Sequence, residues 1–589
     1  MMKHLTIMAA FWSVVSLPTL AQPQDTVRLV FSSKAAQVTS QSQKAAPDNG
    51  CVRAPRGDAT WCVGTVQNTL AQSQTVAPAF YVQELPAQGY SAHDIATVLN
   101  QDGRFGLVEV DVEVSVTPVF VQEVPVESAA AVVNDPGFPL YQDGRYFANR
   151  SQSVTGSAIL DMWAAIGLPS VLTPNEPIDL LILDSEFETS ADVVYQSGRS
   201  FSTTALIKDG PAQVPNDDYS IRPEVDDVCD AHGLQVTAVS SATINNGLVA
   251  AGITNNVNRH ALRVLTCGTG FLSDVSNGML WAVGKPFTGS ENVTPYQGRP
   301  NGIINMSLSG KTETCPEYMQ IGIDAVRAAG FTVVVAAANK YGDTKEYSPA
   351  NCRGVVVVGS VSENGQVSAF SNTGAEVSVM AQGEMMPMPC EDRTDTCWGA
   401  GTSFSTPVVS GVLAAVKRET GADTATLNVA ARLTANQVED PRCDTPGVCG
   451  AGLFNAMGVY EVAKAAQEGK LNFMTHALNG RTECDRTWLL DHFGRSALIC
   501  QMYQVTLFNN YAKAGDTFKM YSVADGEDFY SATPTLEGEF THNTFMLSNV
   551  QVTGRKYGAQ LCRDGRCSEE ILPVHIDNAS GANQSTLCN

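Results

Sequence analysis

At 589 residues the chain is long enough for two or three domains, and 44% hydrophobic against 16% charged residues describes an ordered globular protein rather than a disordered one. A formal charge of −23 argues against nucleic acid as a partner, because binding phosphates takes a basic surface. Lys3 and His4 precede an apolar run from Leu5 to Leu17, and Thr19-Leu20-Ala21 has the character of a small-residue cleavage site, so residues 1–21 are expected to be an export signal. The run is too short for a bilayer, which takes about 20 apolar residues. No later segment is longer, so a secreted (extracellular or periplasmic) protein without a transmembrane anchor is expected. Fifteen Cys fit an oxidising compartment. Near pairs are Cys51 with Cys62, Cys390 with Cys397, Cys443 with Cys449, Cys484 with Cys500 and Cys562 with Cys567; Cys229, Cys267, Cys315 and Cys352 lie further apart. Spacing leaves the connectivity open, and an odd count leaves at least one thiol over. The lack of a C-x-x-C weighs against zinc.

Residues 22–130 alternate short apolar runs with Gln, Ala and Pro. Phe80-Tyr81-Val82 and the stretch from Leu107 to Val114 have strand character, and Ser91 to Asn100 that of a short helix, predicting a small α+β unit. From about residue 175 strands and helices alternate. Ile178 to Leu183 is an apolar run ending at Asp184, and helical spacing follows His232. Ala261 to Leu265 predicts a strand, Ser276 to Val283 a helix, and Ile303 to Leu308 a strand. Pro316 to Ala329 predicts a helix stopped by Gly330. Thr332 to Ala338, Val355 to Val358 and Val377 to Met380 are near-continuous apolar strands of the kind a sheet covered on both faces requires. Val408, Val412 and Val416, thickened by Val409 and Leu413, form the apolar stripe of a buried helix with Pro407 in its first turn. Strand–helix alternation over 131–465 predicts an α/β fold with a parallel sheet, whose sites form beyond the C-terminal strand ends. Residues 470–589 change texture: Met502 to Phe508 and Thr517 to Tyr521 alternate between turn residues, predicting a small β-sandwich-like domain.

Four polar residues sit where this pattern exposes chemistry. Ser403, in Gly401-Thr402-Ser403-Phe404-Ser405-Thr406-Pro407, falls at a helix N-terminus, where backbone N–H groups and the dipole favour a developing oxyanion. Asp184 ends a buried strand, His232 opens a helix in Asp230-Ala231-His232-Gly233, and Asn339 closes an Ala-rich strand. An isolated Ser at a helix start is usually a cap, a lone Asp a turn former and a lone His a structural hydrogen bonder. The run G-T-S-x-S-x-P, however, resembles the nucleophile motif of subtilisin-like serine proteases (subtilases), and Asp184, His232 and Asn339 precede it in that family's order. The chymotrypsin type and the α/β-hydrolases run in other orders. The resemblance covers about residues 134–465. It departs from the family at Glu186, where Gly is usual after Asp-Ser/Thr, and at Leu234, where Thr is usual.

The resemblance implies a subtilisin-like sheet with helices on both faces, an N-terminal propeptide (22–130) that chaperones folding and plugs the site, and a catalytic domain over 131–465. Asn134-Asp135-Pro136-Gly137-Phe138 is similar to the start of many mature members, so maturation is expected between about residues 120 and 134, and Ser157 to Trp163 would be the early helix that follows. Asp184, His232 and Ser403 would form the triad and Asn339 the oxyanion hole. Substrate would add as a strand to Gly268-Thr269-Gly270-Phe271-Leu272 and Ser307-Leu308-Ser309-Gly310, with Ala336 and Ala337 walling the side-chain pocket. Asp343 and Glu346 are expected to be a solvated acidic loop, leaving a broad apolar or mixed preference. Catalysis would need no cofactor; structural Ca²⁺ is allowed by the family, although no loop here has the ligand spacing. The partners implied are protein and peptide substrates and the chain's own propeptide. Sedolisin-type enzymes share the fold but use Glu and Asp where this chain has His232 and Asn339. A non-catalytic secreted binding protein on the same scaffold is the alternative. Phe404 stands where the family often has Met and cannot form a sulfoxide. The chain should keep more activity after peroxide treatment than Phe404→Met, measured as residual turnover; equal losses would refute the expectation.

Overall fold

The structure, a computed structural model, describes residues 26–32, 51–63, 80–121 and 133–468, apart from 56–57, 103–104, 106, 117–118, 169–175, 188–189, 204–230, 288–289, 291–292, 391–395 and 446–447, together with stretches between 502 and 574. The expected signal, residues 1–21, lies outside the described residues. The chain divides into two compact units, 1–111 and 112–589.

In the first unit, strand Thr26–Ser32 pairs antiparallel with Phe80–Pro86 on one side and Val108–Val110 on the other. Helix Ala92–Asp102 packs Ile95 and Leu99 into a core with Leu29, Phe31, Trp61 and Leu85. Ser91 caps that helix: its Oγ accepts from Asp94 N at 3.1 Å, and Asp94 Oδ2 accepts from Ser91 N at 3.3 Å. The hairpin Cys51–Arg53 with Thr60–Cys62 is closed by the Cys51–Cys62 disulfide. This is an α+β unit, and it ends at residue 111 rather than at 130.

The second unit is built on seven parallel strands in the order Val379–Gln382, Val356–Val361, Thr332–Ala336, Ile303–Met306, Ile178–Asp184, Val257–Arg263, Ser197–Ser200. Strand alternation decides what each face holds. Leu180, Ile182, Val334, Val356, Val358, Val379 and Ala381 enter one core with helices Thr402–Thr420, Thr424–Leu433 and Ala456–Gln467. Leu181, Leu183, Val333, Val335 and Val357 are buried on the opposite face, where helix Leu272–Ala282 crosses with Gly278 beside Leu183 and packs on helix Glu317–Ala328. Burial on both faces explains why these strands are apolar without interruption. The early helix is Ile159–Ile166. Further along, Met502–Thr506 pairs with Thr544–Ser548, and Thr517–Ala524 with Thr535–Phe540 and Arg555–Arg563, all antiparallel. Disulfides join Cys390 to Cys397 and Cys443 to Cys449, and a longer-range one joins Cys315 to Cys352.

Two expected elements differ. The continuous strand over 107–114 is two strands. Val108–Val110 pairs with Leu29–Phe31, whereas Glu113–Ser115 pairs with Thr269–Phe271. Between them Asp111 takes an ion pair from Arg28 Nε at 2.6 Å. Unbroken Val alternation carries no sign of which partner each half takes. Pro407 is also not in a first turn, because its helix begins at Thr402. Pro407 has no N–H for the carbonyl of Ser403 four residues back. That carbonyl instead accepts from Ser307 Oγ at 2.8 Å.

Helix Thr402–Thr420 crosses helix His232–Ser241 closely at Gly411. A Cβ there would lie 2.6 Å from the Ser240 carbonyl and 2.7 Å from Ile253 Cβ. In an exposed helix Gly→Ala gains up to about 1 kcal/mol. Here overpacking reverses the sign, and Gly411→Ala should cost about 1–3 kcal/mol, read as a lower thermal midpoint. A raised midpoint would contradict this crossing.

Candidate active site

Three strands of the sheet and the long helix deliver their polar residues to one end. Asp184 is the last residue of its strand and 0% exposed. Its carbonyl accepts from Val264 N at 2.9 Å, which ties the strand end to the next crossover. His232 is the first residue of helix His232–Ser241 and is also 0% exposed. Its Nδ1 lies 2.6 Å from Asp184 Oδ1, and the same Oδ1 accepts from Ser185 N at 2.7 Å. With Asp184 ionised, this bond assigns the proton to Nδ1 and leaves Nε2 as the acceptor nitrogen. Nε2 is buried, with no hydrogen-bond partner among the described residues. Gly233 follows because a Cβ at that position would sit 2.9 Å from the Glu186 carbonyl and 2.8 Å from the Phe187 ring.

Ser403 is the second residue of helix Thr402–Thr420 and 3% exposed. Its Oγ donates to the Ser307 carbonyl at 3.3 Å. The adjacent Phe404, wholly buried, packs on the His232 imidazole with ring centroids 5.7 Å apart. The helix start is held from below by a buried relay. Ser410 Oγ donates to Asn305 Oδ1 at 2.7 Å, Asn305 Nδ2 to Ser307 Oγ at 3.1 Å, and Ser307 Oγ to the Ser403 carbonyl. Ser307 was expected only to bind substrate. Asn305 was not singled out, although a polar residue inside an otherwise apolar, doubly covered strand is a signal of such a network.

Asn339 follows Ala338, which is held at φ 80°. Its Oδ1 accepts from Thr402 N at 2.9 Å and Thr402 Oγ1 at 2.7 Å. The amide nitrogen is thereby turned the other way. A Cβ at position 401 would lie 3.1 Å from Asn339 Nδ2 and 3.6 Å from Ser403 N, so these two donors flank one spot. Asn372 fixes the loop that carries Asn339. Its Oδ1 accepts from Lys340 N and Gly342 N, both at 2.9 Å, and its N–H donates to the Ala338 carbonyl. This role of Asn372 was not foreseen from the sequence.

Both expected edge segments are taken by the chain itself. Glu113–Ser115 pairs antiparallel with Thr269–Phe271, Val114 facing Gly270. Val116 N donates to the Gly268 carbonyl at 3.0 Å, and Leu272 N to the Val112 carbonyl at 2.9 Å. On the other side Ser115 and Ser309 exchange both backbone bonds, at 3.0 and 3.1 Å. Gly310 leaves room for the Glu113 carbonyl and the Val114 side chain. Further on, Val119–Val121 pairs with Trp398–Ala400, directly before the Gly401–Ser403 turn and beside the Cys390–Cys397 disulfide. That third edge was not foreseen. Leu308, Ala336 and Ala337 are buried, the two alanines at the strand end before Asn339. Lys345 pairs with Asp343 at 2.9 Å and Lys311 with Glu346 at 3.6 Å, so the acidic loop is charge-paired at the surface.

Residues 133–137 dock on a nearby turn. Asp135 accepts from the N–H groups of Asn245, Asn246 and Gly247 at 2.7, 2.9 and 3.0 Å, and Asn134 N donates to Asn245 Oδ1 at 3.0 Å. Neighbouring Asp192 is pushed up to about 7, first by burial and then by the Asp135 charge, with the Asn246 bond opposing. Glu186 is raised by burial in the first place, and the Asp184 charge adds to it. Among the described residues no cluster of three or more His, Cys, Asp or Glu is placed to hold a metal ion, and no helix is long and apolar enough to cross a membrane.

Residues 180–452 match the family model described as the subtilase family, Peptidase_S8. An extracellular protease of Xanthomonas campestris pv. campestris is 33% identical over 234 residues, 38% of this chain and 39% of its own length. An extracellular basic protease of Dichelobacter nodosus is 34% identical over 192 residues, 31% of each. Subtilisin E of Bacillus subtilis is 29% identical over 241 residues, 40% of this chain and 56% of its own length. A solved structure of proteases from Pseudoalteromonas arctica aligns over 56% of this chain and 100% of its own, with 24% identity and a TM-score of 0.47. The chain thus spans less than two fifths of the length of the first two relatives.

Ser307→Ala should lower stability by about 1–3 kcal/mol, because it leaves the Ser403 carbonyl buried without its donor. Calorimetry on the Ser403→Ala background isolates this from turnover; an unchanged midpoint would count against the relay.

Proposed function

From the match of residues 180–452 to the subtilase family model, we propose that this chain is a secreted serine endopeptidase that hydrolyses peptide bonds of proteins through Asp184, His232 and Ser403. The observation that carries the reading is the fully buried 2.6 Å bond between Asp184 and His232 beside the helix start that bears Ser403. Asp184 fixes the tautomer whose Nε2 is basic. His232 takes the Ser403 proton as the hydroxyl oxygen attacks the substrate carbonyl. The tetrahedral oxyanion is held by Asn339 Nδ2 and the Ser403 N–H, the two donors that flank one spot. His232 then hands its proton to the leaving amine, and water repeats the cycle to free the acyl group. In the resting chain Ser403 Oγ donates to the Ser307 carbonyl, a bond the hydroxyl gives up when its proton passes to Nε2.

Residues 112–116 and 119–121 act in this reading as a built-in substrate mimic, and maturation between about residues 120 and 134 frees them. The tight docking of 133–137 supports a mature chain that begins near there and stays attached. Secretion rests on the N-terminal pattern and on relatives named as extracellular.

Ser403→Ala should accumulate unprocessed precursor and lose fluorophosphonate labelling. Asn339→Leu should still label and lower kcat by about 10²–10³-fold, the magnitude known for the same donor in subtilisin. Active-site titration with peptide turnover reads both. If the wild type neither labels nor cleaves after processing, the endopeptidase reading is wrong and a binding role on this scaffold replaces it.

A further inference from the structure

Glu186 is the most conspicuous local departure from the sequence pattern around Asp184, and it is buried to 1% exposure. Its Oε1 accepts the backbone N–H of Cys267 at 2.7 Å. Cys267 is held at φ 45° and Gly268 at φ 73°, so the turn after Leu265–Thr266 passes through two left-handed residues, the first of them carrying a side chain that disfavours it. A disulfide ties Cys267 as well. This turn sets the direction of the Gly268 carbonyl, which accepts Val116 N at 3.0 Å, and it starts the strand Thr269–Phe271 that pairs with 113–115. A carboxylate buried two residues from Asp184 is an expensive group to keep for packing alone. A glycine in its place has nothing that reaches the turn.

We propose that Glu186 is a positioning residue for extended polypeptide substrates: its carboxyl fixes the Cys267–Gly268 turn so that the Gly268 carbonyl meets the N–H of the substrate residue that takes the place of Val116. The proposal rests on the endopeptidase reading and adds a specificity element to it. Glu186 touches neither the reacting carbonyl nor His232. It acts on how well a long peptide is held, not on the chemical step. A substrate that stops short of the Gly268 carbonyl gains nothing from it.

The test uses the processed full chain and two otherwise identical extended peptide p-nitroanilides, one of them N-methylated at the residue that takes the place of Val116, which removes the donor to Gly268. Glu186→Met keeps length and volume without an oxygen acceptor, and Glu186→Gln keeps the acceptor. On the unmodified peptide Glu186→Met should raise KM about tenfold with kcat unchanged, the signature of lost uniform binding. On the N-methyl peptide it should match the wild type within about twofold, since the hydrogen bond it supports is already gone. Glu186→Gln should restore KM on the unmodified peptide to within about threefold of wild type. Fluorophosphonate labelling of Ser403 at the wild-type rate certifies each variant. Equal losses on both peptides, a drop in kcat, or a Glu186→Gln as impaired as Glu186→Met would each overturn the proposal. A Glu186→Met that does not label leaves the decision to Glu186→Gln, where wild-type KM supports the proposal and a tenfold rise refutes it. A wild type that neither labels nor cleaves refutes instead the reading beneath it, and the two failures are thereby told apart.

Discussion

A carboxylate and an imidazole, both without solvent exposure, face each other at 2.6 Å across the mouth of the sheet. Burying that pair is costly unless the surroundings compensate. The compensation is built from the fold. Asp184 ends a strand flanked on both sides, its carbonyl takes Val264 N and its carboxylate takes Ser185 N. His232 opens a helix that packs on the helix of Ser403, and Phe404 lies over its ring. The parallel sheet and its covering helices hold these three chain segments to one edge.

The relay from Ser410 through Asn305 and Ser307 to the Ser403 carbonyl shows how one local irregularity is made useful. A proline inside a helix normally leaves an orphan acceptor and weakens the helix. Here the orphan is the carbonyl of Ser403, and a serine from the neighbouring strand satisfies it. The helix start that bears the proposed nucleophile is thereby tied sideways to the sheet as well as along its own axis. Asn372 does the corresponding work for the loop of Asn339, whose neighbour Ala338 sits in a left-handed conformation.

Residues 112–116 and 119–121 lie along three backbone edges of the second unit. Backbone pairing of this kind gives affinity with little dependence on sequence, and side chains at alternate positions give selectivity. The chain's own segment meets that requirement with Val at 112, 114, 116, 119 and 121 around a two-sided ladder. Glu186 belongs to the same surface, since it braces the turn from which one edge hangs.

Much of this was legible from residues alone. Apolar runs of the right length marked six of the seven parallel strands, and helix signals fell within a few residues of the observed ones, because periodicity reports burial directly. Ser197–Ser200 escaped notice: four residues with little apolar character have no period to read. Asp184, His232, Asn339 and Ser403 could be named because the run around Ser403 resembles the subtilase nucleophile motif and the other three precede it in that family's order. What could not be named were relations between distant segments. Whether Val112 continues the strand of Val110 or joins another sheet depends on partners some 160 residues further on, and alternation is identical in both cases. The bonding of Cys315 to Cys352, the donor found for the Ser403 carbonyl, the seat of 119–121 on Trp398–Ala400 and the contact of Glu186 with Cys267 are of the same kind. The sequence by itself determined which segments are strands and helices and where each must expose a polar end, since those follow from local pattern and burial. Only the tertiary structure decided which ends meet, because a hydrogen bond across the fold has a geometry but no spacing.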